Sequence, residues 1–116
     1  MKTDNQLQGL IQELKKQGSE KKVKLWKRIA RDLEKPTRQR RVVNLYRLNK
    51  YTKENEIVIV PGKVLGTGDV DHKLTIAALN FSDDALRKLL EKKSNVYSIY
   101  ELMKSNPQAK KVRIIG

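Results

Sequence analysis

Residues 57–69, Ile-Val-Ile-Val-Pro-Gly-Lys-Val-Leu-Gly-Thr-Gly-Asp, constrain the fold of this chain more than any other stretch. They open with four consecutive β-branched residues, a run that is typical of a short strand buried on both faces. Pro61 and Gly62 are expected to end the strand, because proline lacks a donor for the sheet and glycine permits turn angles. The stretch therefore predicts a central buried strand followed at once by a loop.

The predicted loop holds Gly66 and Gly68 around Thr67, with Lys63 as its one cation. Glycine-rich backbone after a buried strand suits the binding of an anion by N–H groups. The spacing matches neither a P-loop, which ends in Gly-Lys-Ser/Thr, nor a dinucleotide-binding fingerprint, which opens a helix. By spacing alone, a tight connection between two strands is the favoured interpretation.

Positive charge dominates the composition. The 116 residues hold 26 Lys and Arg against 13 Asp and Glu, a net charge of +13, which indicates a polyanionic partner. No 18-residue apolar run is present, so no transmembrane helix is expected, and the polar start of the chain does not resemble a signal peptide. Without cysteine there is neither a disulfide nor a thiolate metal site. We expect a single soluble, intracellular domain.

The charge is concentrated in the first half of the chain. Residues 1–53 hold 16 Lys and Arg against five Asp and Glu, a net of +11. Residues 54–116 hold ten against eight, a net of +2. The first half is therefore expected to face the polyanion, and the second to form an ordinary packed domain.

The first predicted helix covers residues 5–17. Asp4 or Asn5 is expected to cap its start, and Gly18 to end it. Its apolar residues recur at i, i+3, i+4 and i+7, and they are Leu7, Leu10, Ile11 and Leu14.

A second helix is predicted over residues 20–34, capped by Ser19 and bounded by Pro36. Trp26 belongs to its apolar stripe, which favours core packing over base stacking. The rest of this helix is strongly basic, with the cations Lys21, Lys22, Lys24, Lys27, Arg28 and Arg31.

Residues 35–41, Lys-Pro-Thr-Arg-Gln-Arg-Arg, hold four cations and no apolar side chain. Such a segment cannot stabilise itself by burial, so we expect it to be mobile when free. It could be a solvated linker, but the basic context favours an arm that becomes ordered against phosphates. The apolar residues that follow predict a short helix or turn that ends near Tyr51 and points Arg47 and Lys50 outward.

A second strand is predicted at residues 74–79. Before it, Asp69, Asp71 and His72 could suggest a metal site, although isolated Asp and His in a glycine-bearing loop are more often turn residues. The turn interpretation is favoured.

The remaining elements carry clear end signals. Ser82 is expected to cap a helix whose inward residues are Leu86, Leu89 and Leu90. Ser98 and Glu101 form a capping box for a last short helix. Residues 112–115 predict a terminal strand.

Helices come first and strands then alternate with short helices, a pattern that predicts the α/β class. We expect one domain over residues 1–116, with a basic helical part and arm at 1–53 and an α/β part at 54–116.

Four blocks of the sequence resemble an archaeal and eukaryotic family of large-subunit ribosomal proteins, ribosomal protein L-eighteen-e, a relative of bacterial L-fifteen. The second block is the most specific, and the order and spacing match over essentially the whole chain. The compact length is similar to the archaeal form. The blocks are residues 33–45, 58–68, 77–82 and 106–116.

The resemblance implies short strand and helix turns in an irregular layered arrangement, preceded by N-terminal helices. It also implies a structural protein of the cytoplasmic ribosome, with no enzymatic activity and no cofactor. Its partners would be large-subunit rRNA and neighbouring ribosomal proteins, without a membrane or a small-molecule substrate. The residues that we predict to contact RNA are Lys22, Lys24, Lys27, Arg28, Lys35, Arg38, Arg40, Arg41, Asn44, Arg47, Lys63, Gly66, Gly68 and Lys73.

Within this set, Lys63 is expected to face solvent in the free protein. Gly66 and Gly68 are expected either to take positive φ or to let RNA approach the backbone closely.

Two other functions compete with structural RNA binding. One is an enzyme acting on RNA or a nucleotide, with Lys63, Asp69, Asp71 and His72 in a loop site. It lacks a phosphate-binding motif and a clear base–nucleophile pair. The other is a DNA-binding module that uses the second helix for recognition.

Overall fold

A computed structural model describes residues 5–116, without the side chain of Thr37. Its α-helices are α1 (Asn5–Glu20), α2 (Lys24–Leu33), α3 (Leu45–Tyr51), α4 (Asp83–Glu91) and α5 (Ile99–Ser105). Its strands are β1 (Arg41–Asn44), β2 (Ile57–Leu65), β3 (Thr75–Phe81), β4 (Asn95–Ser98) and β5 (Val112–Ile114). The predicted α/β class, with helices at the N-terminus, is confirmed. No helix in this part of the chain is long and apolar enough to cross a membrane.

The five strands form one parallel sheet in the order β1-β2-β3-β4, and β5 also pairs with β2. Residues 62–65 of β2 pair with β1, whereas residues 57–59 pair with β5. The edge of β2 opposite β3 is therefore shared by two strands. Because all the strands run the same way, their carboxyl ends lie at one edge of the sheet and their amino ends at the other.

Strand β2 separates two hydrophobic clusters, as the run of β-branched residues predicted. Val58 and Val60 pack with α3 and α4 on one face, and Ile59 packs with α1, α2 and α5 on the other. Trp26 is fully buried in the second cluster, and its indole N–H donates to the Pro107 carbonyl at 2.7 Å. The prediction of core packing for Trp26 is confirmed.

The prediction that Pro61 and Gly62 end the strand was wrong, because β2 continues to Leu65. The pairing of β2 with β3 shifts between Val60 and Lys63, an irregularity of the kind at which a sheet tolerates proline. A Cβ atom on Gly62 would lie 1.9 Å from the Arg41 carbonyl oxygen. Glycine here lets β1 approach β2, and it does not end the strand.

The predicted boundary between the first two helices was also wrong. Helix α1 continues through Gly18 and Ser19 to Glu20, and α2 begins at Lys24 after Val23 as N-cap. A Cβ atom on Gly18 would lie 2.6 Å from Cγ of Lys27, so this glycine permits close contact between the helices. Ser19 therefore caps nothing, and the proposed cap Asp4 lies outside the described residues.

Two short strands were not predicted, β1 and β4. Residues 41–44 pair with β2 before α3 begins, where we expected only a helix or turn. In α4, Ala85 and Leu89 are buried, whereas Leu86 and Leu90 are 37% and 54% exposed, so the predicted inward face is rotated. The Ser82 cap and the Ser98–Glu101 capping box are confirmed.

Candidate nucleic-acid interface

A basic stripe runs along the exposed face of α2, opposite the buried face that carries Trp26 and Ile29. Its four cations are spaced i, i+3, i+4 and i+7, so they lie on one side of the helix. With Leu25 and Ile114 they line a shallow groove beside β5. The α2 stripe consists of Lys24, Lys27, Arg28 and Arg31.

Arg31 was missing from the predicted contact set. The signal for it was present, because its spacing from the other three cations is the same helical period that identified the apolar stripe. Lys22 lies in the turn before α2 at φ 57 and shares a hollow with Lys24 and Lys27. The structure therefore brings Lys22 to one end of the α2 stripe.

The arm, residues 35–41, follows the other end of α2. It contains a 3-10 turn, Thr37–Gln39, closed by a 2.8 Å bond from the Gln39 N–H to the Pro36 carbonyl. Lys35 pairs with Asp32 at 3.5 Å, and Nε of Arg40 donates to the Lys35 carbonyl at 3.1 Å. Arg38 is exposed. These bonds are local to the arm and the end of α2.

Arg41 and Arg47 converge on Gly116. The guanidinium of Arg47 donates to the Gly116 carbonyl oxygen at 3.2 Å. A Cβ atom added to Gly116 would lie 2.6 Å from Cδ of Arg41. Asn44 caps α3, since its side-chain oxygen accepts the Arg47 N–H at 3.0 Å, so this oxygen already has a partner within the protein.

Lys63 lies on an uncovered part of the sheet. It pairs with Val42 of β1 and with Asn80 of β3, and all three residues are exposed. The expectation that Lys63 faces solvent is confirmed. Because Val42 directly follows Arg41, strand pairing places Lys63 next to the end of the arm.

The glycine loop between β2 and β3 packs against the protein itself. Gly68 has φ +86, as predicted, and is the one described glycine with positive φ. A Cβ atom there would lie 2.7 Å from the Tyr46 backbone nitrogen. At Gly66 it would lie 2.9 Å from the Ala85 nitrogen, at the start of α4. Both glycines are thus required by close contacts within the chain.

Lys88 closes this loop from α4. Its ammonium donates to the carbonyls of Gly66 and Gly68 at 2.9 and 2.8 Å and lies 3.7 Å from the Asp69 carboxylate. The loop presents carbonyls to a cation of the same chain, whereas an anion site would present N–H groups.

The carboxyl edge of the sheet holds acidic side chains of its own. It carries the N-termini of α3, α4 and α5, which would otherwise favour a phosphate. Asp83 and Asp84 occupy the first turn of α4, and Glu101 that of α5. Carboxylates therefore complement the N-termini of α4 and α5, where a nucleotide site is not supported, whereas the first turn of α3 holds none.

Asp71 and His72 lie in the loop before β3, which bends at His72. Nδ1 of His72 lies 2.8 Å from the Asp71 carboxylate, and Nε2 lies 2.8 Å from the Thr52 hydroxyl. The hydrogen bond from His72 lowers the pKa of Asp71 below its ordinary value. With both ring nitrogens engaged, His72 has no free nitrogen for a metal. Within residues 5–116, no three His, Cys, Asp or Glu side chains are grouped to hold one.

Lys73 lies apart from the other predicted contacts. It precedes β3, and its carbonyl accepts the Asn55 N–H at 2.7 Å, which places it at the amino edge of the sheet. The structure therefore groups the α2 stripe, Lys22, the arm and Lys63 around α2 and β1. It leaves Gly66, Gly68 and Lys73 elsewhere.

Comparison with known proteins gives consistent matches. Residues 5–92 match a family model that describes the ribosomal proteins 50S-L15 and 50S-L18e and their 60S counterpart. "Large ribosomal subunit protein eL18" of Sulfurisphaera tokodaii is 46% identical over 97 residues, 84% of this chain and 82% of the relative.

Two further relatives of the same name cover more of the chain. The protein of Methanoregula boonei is 44% identical and that of Methanothermobacter thermautotrophicus 40% identical, each over 114 residues, 98% of this chain and 94% of the relative. Both the family match and the extent of these alignments agree with the basic α/β fold. The chain belongs to the ribosomal protein family that includes 50S-L15 and 50S-L18e.

Proposed function

We propose that this protein is a structural constituent of the large ribosomal subunit in the cytoplasm, where it binds folded rRNA through Lys and Arg contacts to phosphates. Members of this family are structural components of the ribosome, not enzymes. The observation that carries the proposal is the α2 stripe, four exposed cations on one side of a helix whose other side is packed into the core. The whole chain, 1–116, would act as one domain.

The chemistry of the stripe suits RNA recognition by shape. Folded RNA is bound mainly through phosphate and 2′-OH contacts, which position a protein without reading sequence. Lysine supplies a point charge, and arginine supplies a planar fork of donors for two-pronged phosphate contact. The helix that bears them is anchored by Trp26, Ile29 and Leu33, all fully buried, so the cations are held on a rigid support.

The stripe is tested by replacing its four cations with glutamine. Glutamine keeps the Cγ atom with which Lys27 packs against Gly18, so we expect α2 to stay folded. For four phosphate contacts, the slope of log affinity against log salt should fall by about 3–4, because each contact contributes roughly 0.7–0.9. Filter binding to large-subunit rRNA over a salt series measures the slope, and recovery with large-subunit particles measures incorporation.

The matched control exchanges the cations without changing the charge, as Lys24→Arg, Lys27→Arg, Arg28→Lys and Arg31→Lys. It should keep most of the salt slope. Unchanged affinity and incorporation in the glutamine variant would overturn the proposal. A strong preference of the wild-type protein for one duplex DNA sequence over folded RNA would favour the DNA-binding alternative instead.

The arm is proposed to become ordered on RNA. In the free protein the bonds of residues 35–40 are local, and the arginines repel one another, so fast amide exchange of residues 38–40 is expected, whereas Arg41 belongs to β1. RNA supplies the counter-charge and should slow that exchange. Amide exchange with and without rRNA measures the change, with residues 58–60 of buried β2 as an internal reference. Strong protection of residues 38–40 in free protein would contradict the proposed ordering.

A further inference from the structure

A second group of cations surrounds the amino edge of the sheet. Six exposed lysines lie in the turns that lead into β2, β3, β4 and β5. Lys73 is the one member that sequence analysis assigned to RNA. The amino-edge lysines are Lys53, Lys73, Lys92, Lys93, Lys110 and Lys111.

Strand pairing places these turns side by side. Ile57 pairs with Thr75 on one side and with Val112 on the other, and Thr75 pairs with Asn95. The four strands are therefore aligned at their first residues. With neighbouring strands about 4.8 Å apart, the four turns span about 15 Å. Six positive charges are thus fixed at one edge by the sheet.

Nearby carboxylates are already engaged. Glu56 pairs with Arg113 at 2.9 Å, Glu91 with Arg87 at 3.0 Å, and Asp71 accepts from His72 at 2.8 Å. Among the described residues, none of the six lysines takes part in an ion pair within 4.0 Å. Glu54 is left as the one carboxylate of this edge without such a pair in the described chain.

Helix ends explain only part of this arrangement. Lys92 and Lys93 follow α4, where a cation complements the negative end of the helix dipole. Lys110 is bonded to Asn106, the C-cap of α5, and so also lies at a helix end, whereas Lys73 precedes β3 and follows no helix directly. Lys93 and Lys111 also take φ values of 60 and 59, a left-handed conformation that favours glycine or asparagine over lysine. Local backbone preference therefore does not account for the lysines.

We propose that the amino-edge lysines form a second phosphate-binding surface, which holds the backbone of an RNA segment separate from the one on the α2 stripe. This inference rests on the proposed function. The turns before β3 and β4, with Lys73, Lys92 and Lys93, lie two and three strands from β5, the strand beside the α2 stripe. At a strand spacing of about 4.8 Å these separations are about 10 and 15 Å, beyond the Debye length of about 8 Å at physiological salt. The two surfaces bind independently, and the protein bridges two RNA segments.

Lysine chemistry favours RNA over a protein partner for this surface. Lysine is depleted in the cores of protein–protein interfaces, where arginine and aromatic residues are enriched. A cluster of ammonium groups gives point charges that accept many phosphate geometries, which suits a backbone read without sequence.

The test uses the full chain and two short RNA duplexes of identical sequence, one labelled with a donor dye and one with an acceptor. Wild-type protein should bring the duplexes together and give energy transfer, with two duplexes per protein by native mass spectrometry. An amino-edge variant, Lys53→Gln, Lys73→Gln, Lys92→Gln and Lys110→Gln, should bind one duplex and give no transfer. This variant avoids the two left-handed lysines, and circular dichroism checks its fold.

The four-glutamine variant of the α2 stripe is the matched control, since it removes the same charge. It should also bind one duplex, at the amino edge, and combining both sets should remove most of the affinity. If the amino-edge variant still bound two duplexes with wild-type affinity, the inference would be overturned while the stripe result stood. If instead the stripe variant kept wild-type affinity and the amino-edge variant lost it, the role proposed for the stripe would fail, and RNA binding by the amino edge would still be supported.

An acidic protein partner is the other outcome to distinguish. A polyglutamate peptide should displace the duplex from the amino edge only at much higher concentration than unlabelled RNA. Displacement at equal charge concentration would show that any polyanion suffices and would overturn the assignment to RNA.

Discussion

The two edges of the sheet are built from the same strands and differ in what their turns carry. The carboxyl edge has three helix N-termini, their caps Asn44, Ser82 and Ser98, and first-turn carboxylates. The amino edge has turns rich in lysine. In open α/β sheets, ligands usually bind at the carboxyl edge. Here carboxylates complement two of the three helix N-termini at that edge, α4 and α5, and the turns of the other edge are rich in lysine.

Glycine has a different role at each edge. At the carboxyl edge, Gly66 and Gly68 allow α4 and α3 to pack onto the loop. At the amino edge, Lys93 and Lys111 occupy left-handed positions that glycine would fill more easily. We interpret the first edge as selected for close packing and the second for exposed charge.

The largest effect on stability is expected when residue types are exchanged between the two edges, beginning with a glycine of the carboxyl edge. Gly68→Ala introduces a Cβ atom 2.7 Å from Tyr46 backbone at φ +86, so unfolding free energy should fall by about 2–5 kcal/mol from strain and overpacking. Thermal melting followed by circular dichroism measures the change. This revises the expectation that the loop glycines serve RNA approach, since their replacement should damage the free protein first.

Lys93→Gly is the opposite exchange at the amino edge. Relief of a left-handed lysine offsets the entropy lost by glycine, so stability should stay the same or rise by up to about 1 kcal/mol. A Gly68→Ala protein that melts like wild type, or a Lys93→Gly protein that loses stability, would break the comparison between the edges.

Replacing Lys88 of α4, or Lys92 at its C-cap, is expected to change the unfolding free energy less than Gly68→Ala does. Lys88→Met leaves the Gly66 and Gly68 carbonyls without their donor, and unfolding free energy should fall by about 1–3 kcal/mol. Lys92→Met, one turn further along, removes an exposed cation of the amino edge and should change stability little. Chemical denaturation of both variants gives the two values. Equal losses would mean that Lys88 contributes only its charge and does not hold the loop.

Much of the fold followed from local signals. The β-branched run at residues 57–60 located the strand on which both clusters pack, and Ser-x-x-Glu at residues 98–101 located the start of α5. Trp26 was assigned to the core by its spacing. Each of these signals lies in residues that are close in the sequence, so it could be interpreted without knowing which strands pair.

The missed features depend on contacts between distant residues. Strand β1 has four residues and is stabilised by pairing with β2, and Gly62 is required by the Arg41 carbonyl across that pair. Gly18 is required by Lys27 of another helix, so its place inside α1 could not be read locally. The role of Lys88 likewise depends on a loop 20 residues away. Of the candidate interface, the helical stripe was predictable and the position of Lys63 beside the arm was not.

The shared edge of β2 has a consequence for synthesis of the chain. Residues 57–59 obtain their outer hydrogen-bond partners only from β5, whose residues are translated after all other strands. Until then, residues 57–59 of the central strand present unpaired backbone groups, the kind of edge that promotes aggregation. The indole of Trp26 also lacks its acceptor until Pro107 emerges. The nascent chain therefore presents this unpaired edge until residues 107–114 have left the exit tunnel.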